Sequence, residues 1–198
     1  QGGHEIASHG YYHSSFEKTD LQRSREFLEQ LTGQPVEGFR MARMMPVDEK
    51  DIKNAGYTYN SSLNPTFIPG RYNHLDKPRT YFYKEKVLQL PASVTPAFRL
   101  PLFWLTYHNL PAKVYRWLFY RTLKHDGYAI TYFHPWEFTN LKAHKEEWKL
   151  PFIMTNHSGE GMVRRLDDLI SFLLKKKCSF ATCKEFKQHI QAKEQKSE

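Results

Sequence analysis

The chain has 198 residues, of which 40% are hydrophobic and 25% charged, so it is expected to fold as a globular domain with a single core and not as a disordered chain. Its two cysteines are too few for a disulfide-stapled scaffold, and no apolar run approaches the ~20 residues that span a membrane. The net charge of +8 could attract an acidic polymer, but no zinc-finger spacing, RNA-binding signature or basic heptad helix accompanies it, so no nucleic-acid partner is predicted.

Strands and helices are predicted to alternate along the chain, from hydrophobic periodicities of about 2 and 3.6 residues. The predicted strands are HEIASH, VEGFRM, YTYNSSL, KVLQLPAS, YAITYFHPWEF and SFATC. The predicted helices cover residues 19–31, PVDEKDIKNAG, residues 113–124, residues 163–176 and the segment after SFATC. This alternation predicts a parallel α/β fold, either closed into a barrel or open as a sheet. Residues 1–186 are assigned to one domain and residues 187–198 to a charged tail.

Two of these helices are expected to bury an apolar face. In the first, the inward residues are predicted to be Leu21, Phe27, Leu28 and Leu31. In the last long helix, they are predicted to be Val163, Leu166, Leu169, Ile170, Leu173 and Leu174.

Polar residues with chemical potential follow the predicted strands. His9 and His13 come after the first strand, Arg40 after the second, and His134 lies at the end of YAITYFHPWEF. In α/β barrels the loops at the carboxyl ends of the strands carry the chemistry, so these side chains are expected to meet at one mouth. The spacing H-x-x-x-H can present two imidazoles to one metal ion, although on the spacing alone a surface pair is the better interpretation.

The segments GHEIASHGYYH, GFRMAR, AGYTYNSSLNP and YFHPWEF, in this order, resemble the polysaccharide deacetylase family, also known as the NodB-homology domain or family four carbohydrate esterases. The His motif and HPWE resemble the exopolysaccharide-associated branch in particular. The resemblance runs from Gly2 to about Phe186. It implies a distorted (β/α) barrel of about seven strands that hydrolyses N-acetyl or O-acetyl groups on a glycan.

The resemblance also implies a divalent metal, usually zinc, held by one Asp and two His. His9 and His13 match the two His positions. The family usually has Ser or Thr after the first His, whereas this chain has Gly10, so support for the metal ligands must come from elsewhere. The Asp pair that supplies the third ligand and the catalytic base precedes the His motif in the family. We expect that pair to lie upstream of this chain, and the chain alone to bind metal poorly and to be inactive.

The remaining roles are assigned by the same resemblance. Arg40 matches the Arg that orients the catalytic Asp, and the backbone N–H of Arg43 matches the oxyanion donor, although Ala42 and Arg43 replace the family's Pro and aromatic residue. His134 matches the general acid, and Trp136 is expected to wall the acetyl pocket, with packing in the core as an equal alternative. The Asp that tunes this His in the family has no match in the sequence.

The long irregular stretch at residues 64–86 is a candidate substrate-binding loop, with Arg71, Tyr72 and His74 as contact residues; a loop packed on itself is the alternative. Two other functions remain open, a non-catalytic glycan-binding relative and a hydrolase of small-molecule amides. The sequence also leaves open which bacterial sugar is deacetylated, whether N- or O-acetyl is removed, the identity of the metal, the compartment and the oligomeric state.

Overall fold

The computed structural model describes residues 3–196 and confirms a mixed α/β fold. The helices are α1 (Thr19–Thr32), α2 (Glu49–Asn54), α3 (Trp104–Asn109), α4 (Ala112–Asp126), α5 (Phe152–Thr155), α6 (Glu160–Lys175) and α7 (Cys183–Glu194). The strands are β1 (Gly38–Phe39), β2 (Tyr59–Asn60), β3 (Phe67–Ile68), β4 (Tyr72–Asn73), β5 (Phe82–Lys84) and β6 (Val87–Gln89). Short 3-10 helices cover Ala42–Met44, Pro135–Phe138 and Leu141–His144. The chain divides into two compact units: unit 1 takes the described parts of residues 1–64, 80–91 and 180–198, and unit 2 takes residues 65–79 and 92–179.

Unit 1 is built on a sheet with the strand order β1-β2-β6-β5. The pairs β1–β2 and β2–β6 are parallel, whereas β5 and β6 form an antiparallel hairpin. A parallel bridge between Ser8 and Phe39 places the N-terminal segment beside β1. The carboxyl ends of the parallel strands share one edge of the sheet, where Arg40, Ser61 and Leu90 follow β1, β2 and β6.

The limits of the unit 1 helices follow local signals in the sequence. Helix α1 ends at Gly33, whose left-handed φ of 66° allows its N–H to donate to the Glu29 carbonyl at 2.9 Å. Helix α2 begins after Asp48, whose carboxylate accepts from the Lys50 N–H at 2.9 Å. These helices were predicted to within a few residues because their start and stop signals are local.

The predicted inward faces of α1 and α6 are partly wrong. Leu21 is buried, but Phe27 and Leu31 are 53% and 71% exposed. Residues along a helix are about 100° apart, so Leu21, Ser24 and Leu28 form the stripe that meets the core and Phe27 lies outside it, whereas Leu31 lies at the edge of the stripe in the last turn of the helix. In α6 the same geometry buries Met162, Leu169 and Leu173 and leaves Val163, Ile170 and Leu174 exposed.

Three predicted strands, HEIASH, YAITYFHPWEF and SFATC, are not strands in the structure. In HEIASH, the β-pairing that the structure assigns is the bridge between Ser8 and Phe39. In the second, residues 128–134 are partly exposed and carry no strand; Ile130 accepts from the Ser93 N–H and donates its own N–H to the Ser93 hydroxyl, both at 2.8 Å. A sequence of high β-propensity becomes a strand only where a neighbouring strand offers a continuous edge.

Unit 2 contains the antiparallel β3–β4 pair and helices α3 to α6. Its core is mainly aromatic and aliphatic: Leu102, Tyr107, Tyr115, Phe119, Met162, Leu169 and Leu173. The Tyr115 hydroxyl donates to the Leu102 carbonyl at 3.1 Å, which satisfies its polar end inside the core. No helix among residues 3–196 is long and apolar enough to cross a membrane.

Helix α7 packs part of the predicted charged tail onto unit 1. Lys187 and Ile190 are buried, and Lys187 forms an ion pair with Glu37 and donates to the Thr58 hydroxyl at 2.9 Å. Lys184 binds the other carboxylate oxygen of Glu37 at 2.7 Å. Hydrogen bonds from Lys184 and Lys187 lower the pKa of Glu37 to about 2.

This carboxylate should make stability depend on pH. Because the pKa of Glu37 falls from 4.5 to about 2 on folding, its contribution is complete above about pH 4.5 and is lost as the pH falls toward 2. Glu37→Gln should lower the free energy of unfolding at pH 7 by about 1 kcal/mol, allowing for partial solvent exposure, and by much less at pH 3. Urea unfolding at both pH values tests this, with Glu146→Gln, whose side chain is 96% exposed, as the control. A Glu37→Gln loss that is equal at both pH values would contradict the assignment.

Candidate functional site

The His9 loop is positioned by backbone hydrogen bonds to β1. The Ser8 N–H donates to the Gly38 carbonyl and the Arg40 N–H donates to the Ser8 carbonyl, both at 2.9 Å. These two bonds fix Ser8 beside β1, and His9 is the next residue in the chain. Gly10 then turns the chain with a φ of 89°, which is a left-handed conformation that L side chains adopt with strain. This conformation favours glycine at position 10.

The His9 and His13 rings lie side by side on an exposed loop. Their ring centroids are 5.7 Å apart. His9 Nδ1 lies 2.8 Å from the Arg40 carbonyl oxygen. Because a carbonyl only accepts, Nδ1 carries the proton in this bond, and in the neutral ring Nε2 would carry the lone pair. A metal-binding histidine is commonly oriented by such a bond from its other nitrogen, so the Arg40 carbonyl provides the support that Gly10 lacks.

The donor set for a metal is incomplete within the part of the chain that the structure describes. No group of three or more His, Cys, Asp or Glu side chains in residues 3–196 is arranged to hold a metal ion. The two imidazoles fit a zinc ion by ligand type and by the tautomer of His9, but a catalytic zinc site uses three protein ligands. The described residues therefore supply at most two of them.

Arg40 and Arg43 occupy the loop after β1. The Arg40 guanidinium is half-buried, and its Nη2 donates to the Ser61 hydroxyl at 2.8 Å, which in turn donates to the Leu90 carbonyl at 2.7 Å. The chain then forms a short 3-10 turn in which Arg43 has a left-handed φ of 54°. The Met41 N–H, just before this turn, donates to the Ser62 hydroxyl at 2.7 Å. The turn is therefore fixed without the family's Pro.

In unit 2, His134 is held by a buried carboxylate three residues further along the chain. Glu137 is fully buried, and its Oε1 accepts from the His134 backbone N–H at 2.7 Å and from His134 Nδ1 at 2.8 Å. The His134 side chain is 34% exposed. The bond at Nδ1 fixes the orientation of the ring and leaves Nε2 for another partner.

A second buried histidine completes this network. His108 Nε2 lies 3.3 Å from Glu137 Oε2, and His108 Nδ1 bonds to the Asn156 carbonyl. Both ring nitrogens of His108 therefore face hydrogen-bond acceptors. Burial opposes the ionisation of Glu137, but hydrogen bonds from His108 and His134 outweigh it and hold the pKa of the carboxyl below its ordinary value.

Two tryptophans surround His134. The Trp136 ring is stacked on the His134 ring, with centroids 5.1 Å apart and an interplanar angle of 15°. The Trp104 ring meets His134 edge-on at 5.5 Å and Trp136 edge-on at 5.1 Å. The imidazole is therefore confined by aromatic surfaces and by the Glu137 bond.

The predicted substrate-loop residues lie in the β3–β4 hairpin of unit 2. Arg71 is exposed in the turn, and the Tyr72 and His74 rings are stacked, with centroids 4.7 Å apart and an interplanar angle of 7°. Both residues are partly exposed, and their role in substrate binding stays a prediction.

The structure places the predicted site residues in two groups. His9, His13, Arg40 and Arg43 belong to unit 1, whereas His134, Trp136, Arg71, Tyr72 and His74 belong to unit 2. The expected convergence of all of them on one mouth stays a prediction.

Three residues of the His134 environment were missed in the sequence. Glu137 has a readable signal, because H-x-x-E at the start of a helical turn allows the Glu side chain to reach back to the His. His108 and Trp104 have no such signal, since they are brought to His134 by tertiary packing from about 30 residues away.

The chain matches no protein-family model and no curated protein. Among solved structures, it is similar to the crystal structure of a protein from Mycobacterium smegmatis that is described as a candidate polysaccharide deacetylase, with a TM-score of 0.57 and 18% sequence identity. The match covers 97% of this chain and 64% of that one, so the chain spans less than two thirds of its neighbour's length. At this identity the match shows the fold alone: the chain shares the fold of that protein.

Proposed function

We propose that this chain is part of a metal-dependent polysaccharide deacetylase of the exopolysaccharide-associated branch, which removes acetyl groups from a bacterial glycan. The observation that carries the proposal is the His9–His13 pair, with the tautomer of His9 set by the Arg40 carbonyl. The shared fold with a candidate polysaccharide deacetylase and the oriented imidazole of His134 support it. The complete enzyme would have the distorted (β/α) barrel implied by the resemblance.

The metal would be a divalent ion, most simply Zn²⁺, held by His9 and His13 and by an Asp from a segment upstream of residue 1. When bound, it would supply Lewis-acid activation of water at neutral pH. The two histidines fit this group by ligand type, and the Asp is placed upstream because it precedes the His motif in the family that the sequence resembles.

The residues of this chain would then act on the acetyl group and its leaving group. His134, oriented through Nδ1 by Glu137, would donate a proton from Nε2 to the leaving amine or alcohol. The Arg43 N–H would bind the oxyanion that develops at the carbonyl oxygen. Arg40 would orient the carboxylate base, Trp136 would wall the acetyl pocket, and Arg71, Tyr72 and His74 would bind the glycan.

Zinc binding and acetate release test the proposal together. A chain extended upstream by one strand should bind one zinc ion, and His9→Ala should weaken that binding at least tenfold because one of three ligands and its support are lost. His4→Ala is the matched control, since His4 is an exposed histidine in the same motif and is outside the proposed ligand set. Zinc content by mass spectrometry and acetate released from an acetylated glycan are measured on the same samples. An extended chain that binds no zinc would refute the proposal.

The incomplete donor set favours a second candidate, a non-catalytic glycan-binding protein with the same fold. It predicts retention on an acetylated-glycan column without acetate release, even for the extended chain in the presence of zinc. A small-molecule amide hydrolase has no observation of this kind in its favour.

A further inference from the structure

The net positive charge of the protein lies in unit 2. Unit 2 contains 16 Lys and Arg against 8 Asp and Glu, whereas unit 1 contains 13 of each. A charge spread for solubility alone would not be confined to one unit. Such an asymmetry favours an anionic partner for unit 2.

Helix α4 carries a concentrated part of this charge on its solvent side. At about 100° per residue, one arc of less than half the helix circumference holds all of its Lys and Arg residues together with three apolar or aromatic side chains. That arc comprises Lys113, Val114, Arg116, Trp117, Tyr120, Arg121 and Lys124. The opposite side buries Tyr115, Phe119 and Thr122. The acidic residue of the helix, Asp126, is 5% exposed and accepts from Arg79 at 2.6 Å, so it does not offset the charge of the arc.

The cations of this arc are interleaved with aromatic rings. The Arg121 guanidinium lies 5.1 Å from the centre of the Trp117 ring. Lys176, directly after α6, places its Nζ 5.6 Å from the centre of the Tyr120 ring. The Trp117 side chain is nevertheless 55% exposed, and Val114 beside it is 43% exposed. The surface therefore offers both positive charge and uncovered apolar area.

Acidic groups facing the arc are sparse. Asp168 on α6 approaches Arg116 at 3.9 Å and is largely exposed. The positive side chains Lys113, Arg121, Lys124 and Lys176 have no carboxylate partner among the ion pairs of the described residues.

We propose that this basic face, defined as Lys113, Val114, Arg116, Trp117, Arg121, Lys124 and Lys176, docks on the surface of an anionic lipid bilayer. Lys and Arg bind anionic headgroups, and a neighbouring Trp inserts at the level of the headgroups. A soluble polyanion would use the cations but leave Val114 and Trp117 in water, so the exposed apolar pair favours the bilayer. This inference is independent of the proposed catalytic function.

Vesicle sedimentation with the whole chain tests the docking surface. The protein should bind vesicles of phosphatidylcholine and phosphatidylglycerol, bind weakly to phosphatidylcholine alone, and dissociate at high salt. In the triple variant Lys113→Gln, Arg121→Gln, Lys124→Gln, the partition coefficient onto these vesicles should fall more than a hundredfold, because each cation contributes about fivefold and the three factors multiply. Trp117→Ala should bind roughly tenfold less, because an interfacial apolar side chain is removed.

The matched control removes the same charge from unit 1, by Lys50→Gln, Lys53→Gln and Lys196→Gln, all at exposed positions. Circular dichroism confirms that each variant is folded. Vesicle binding lost in the α4 variant and kept in the control supports the proposal. Equal loss in both variants would overturn it. The proposal would also be overturned if the protein did not bind the vesicles but bound dextran sulfate through the α4 cations. That result would assign the face to a soluble polyanion.

Discussion

Replacing His134 by alanine should slow acetate release from an acetylated glycan about a thousandfold in the metal-loaded, upstream-extended protein, with its zinc content unchanged. Glu137 holds Nδ1 of His134 at 2.8 Å, so Nε2 is the nitrogen available to protonate the leaving amine or alcohol. Without that proton the leaving group must depart as an anion, which is the costly alternative at neutral pH. The proposed zinc ligands His9 and His13 are unaffected, which is why rate and metal content should separate. Steady-state acetate release and zinc analysis on one preparation measure both.

The chain provides a matched control in His144. Its Nδ1 lies 3.2 Å from Glu147 Oε2, again three residues on, and its ring is stacked on Trp148 at 4.4 Å. His144→Ala thus removes an imidazole with the same kinds of contact from an exposed position. It should leave acetate release unchanged. Equal rates in the His134→Ala variant and the parent protein, or an equal loss in His144→Ala, would refute the role of His134.

Helices α1, α2, α4, α6 and α7 could be predicted from the sequence because their determinants are local, whereas the short helices α3 and α5 were not predicted. Gly33 and Gly127 end α1 and α4 in left-handed conformations, and a glycine after a helical pattern is a stop signal that the sequence itself shows. The inward faces were harder to predict, because an apolar residue one position away from the buried stripe is rotated by about 100° and can be exposed, as Val163 is beside the buried Met162.

The strands were less predictable because pairing is not local. YAITYF has high β-propensity, yet the hydrogen bonds of Ile130 go to Ser93 and no strand forms at residues 128–134. Conversely, β1 and β2 are each only two residues long, and they pair with each other although they lie more than 20 residues apart in the sequence. Which extended segments pair with the edge of a sheet depends on the tertiary fold and not on the local sequence.

The histidine loop was predicted from its motif, but its support was not. The sequence could not show that the Arg40 carbonyl, 31 residues from His9, fixes the tautomer of that ring. Likewise the sequence showed no Asp to tune His134, and the structure places the carboxylate of Glu137 at that ring instead. The position of the Arg40 carbonyl depends on tertiary packing, whereas Glu137 lies three residues after His134 in a local H-x-x-E pattern.

Removing the Glu137 carboxylate should be the most destabilising single change at this site. Glu137→Ala leaves His108 Nε2 without its buried partner and frees the His134 ring, so the free energy of unfolding should fall by about 3 kcal/mol. The melting temperature should fall by roughly 6–12 °C in a chain of this size. Thermal unfolding followed by circular dichroism measures the change. The control is Glu147→Ala, which removes a 71%-exposed carboxylate from the similar pair with His144 and should change stability by less than about 0.5 kcal/mol.

Glu137→Gln separates the structural role from the positioning role. Its amide oxygen can still accept from His134, so the fold should lose less stability than in Glu137→Ala. The negative charge that steadies an imidazolium is gone, however, and acetate release should fall about 10–100-fold at saturating glycan, with KM little changed. If Glu137 serves only to fill the core, Glu137→Gln should keep full activity wherever it is folded. A loss of rate in a folded Glu137→Gln variant therefore assigns the carboxylate to His134, because packing alone gives no reason for the turnover to depend on that charge.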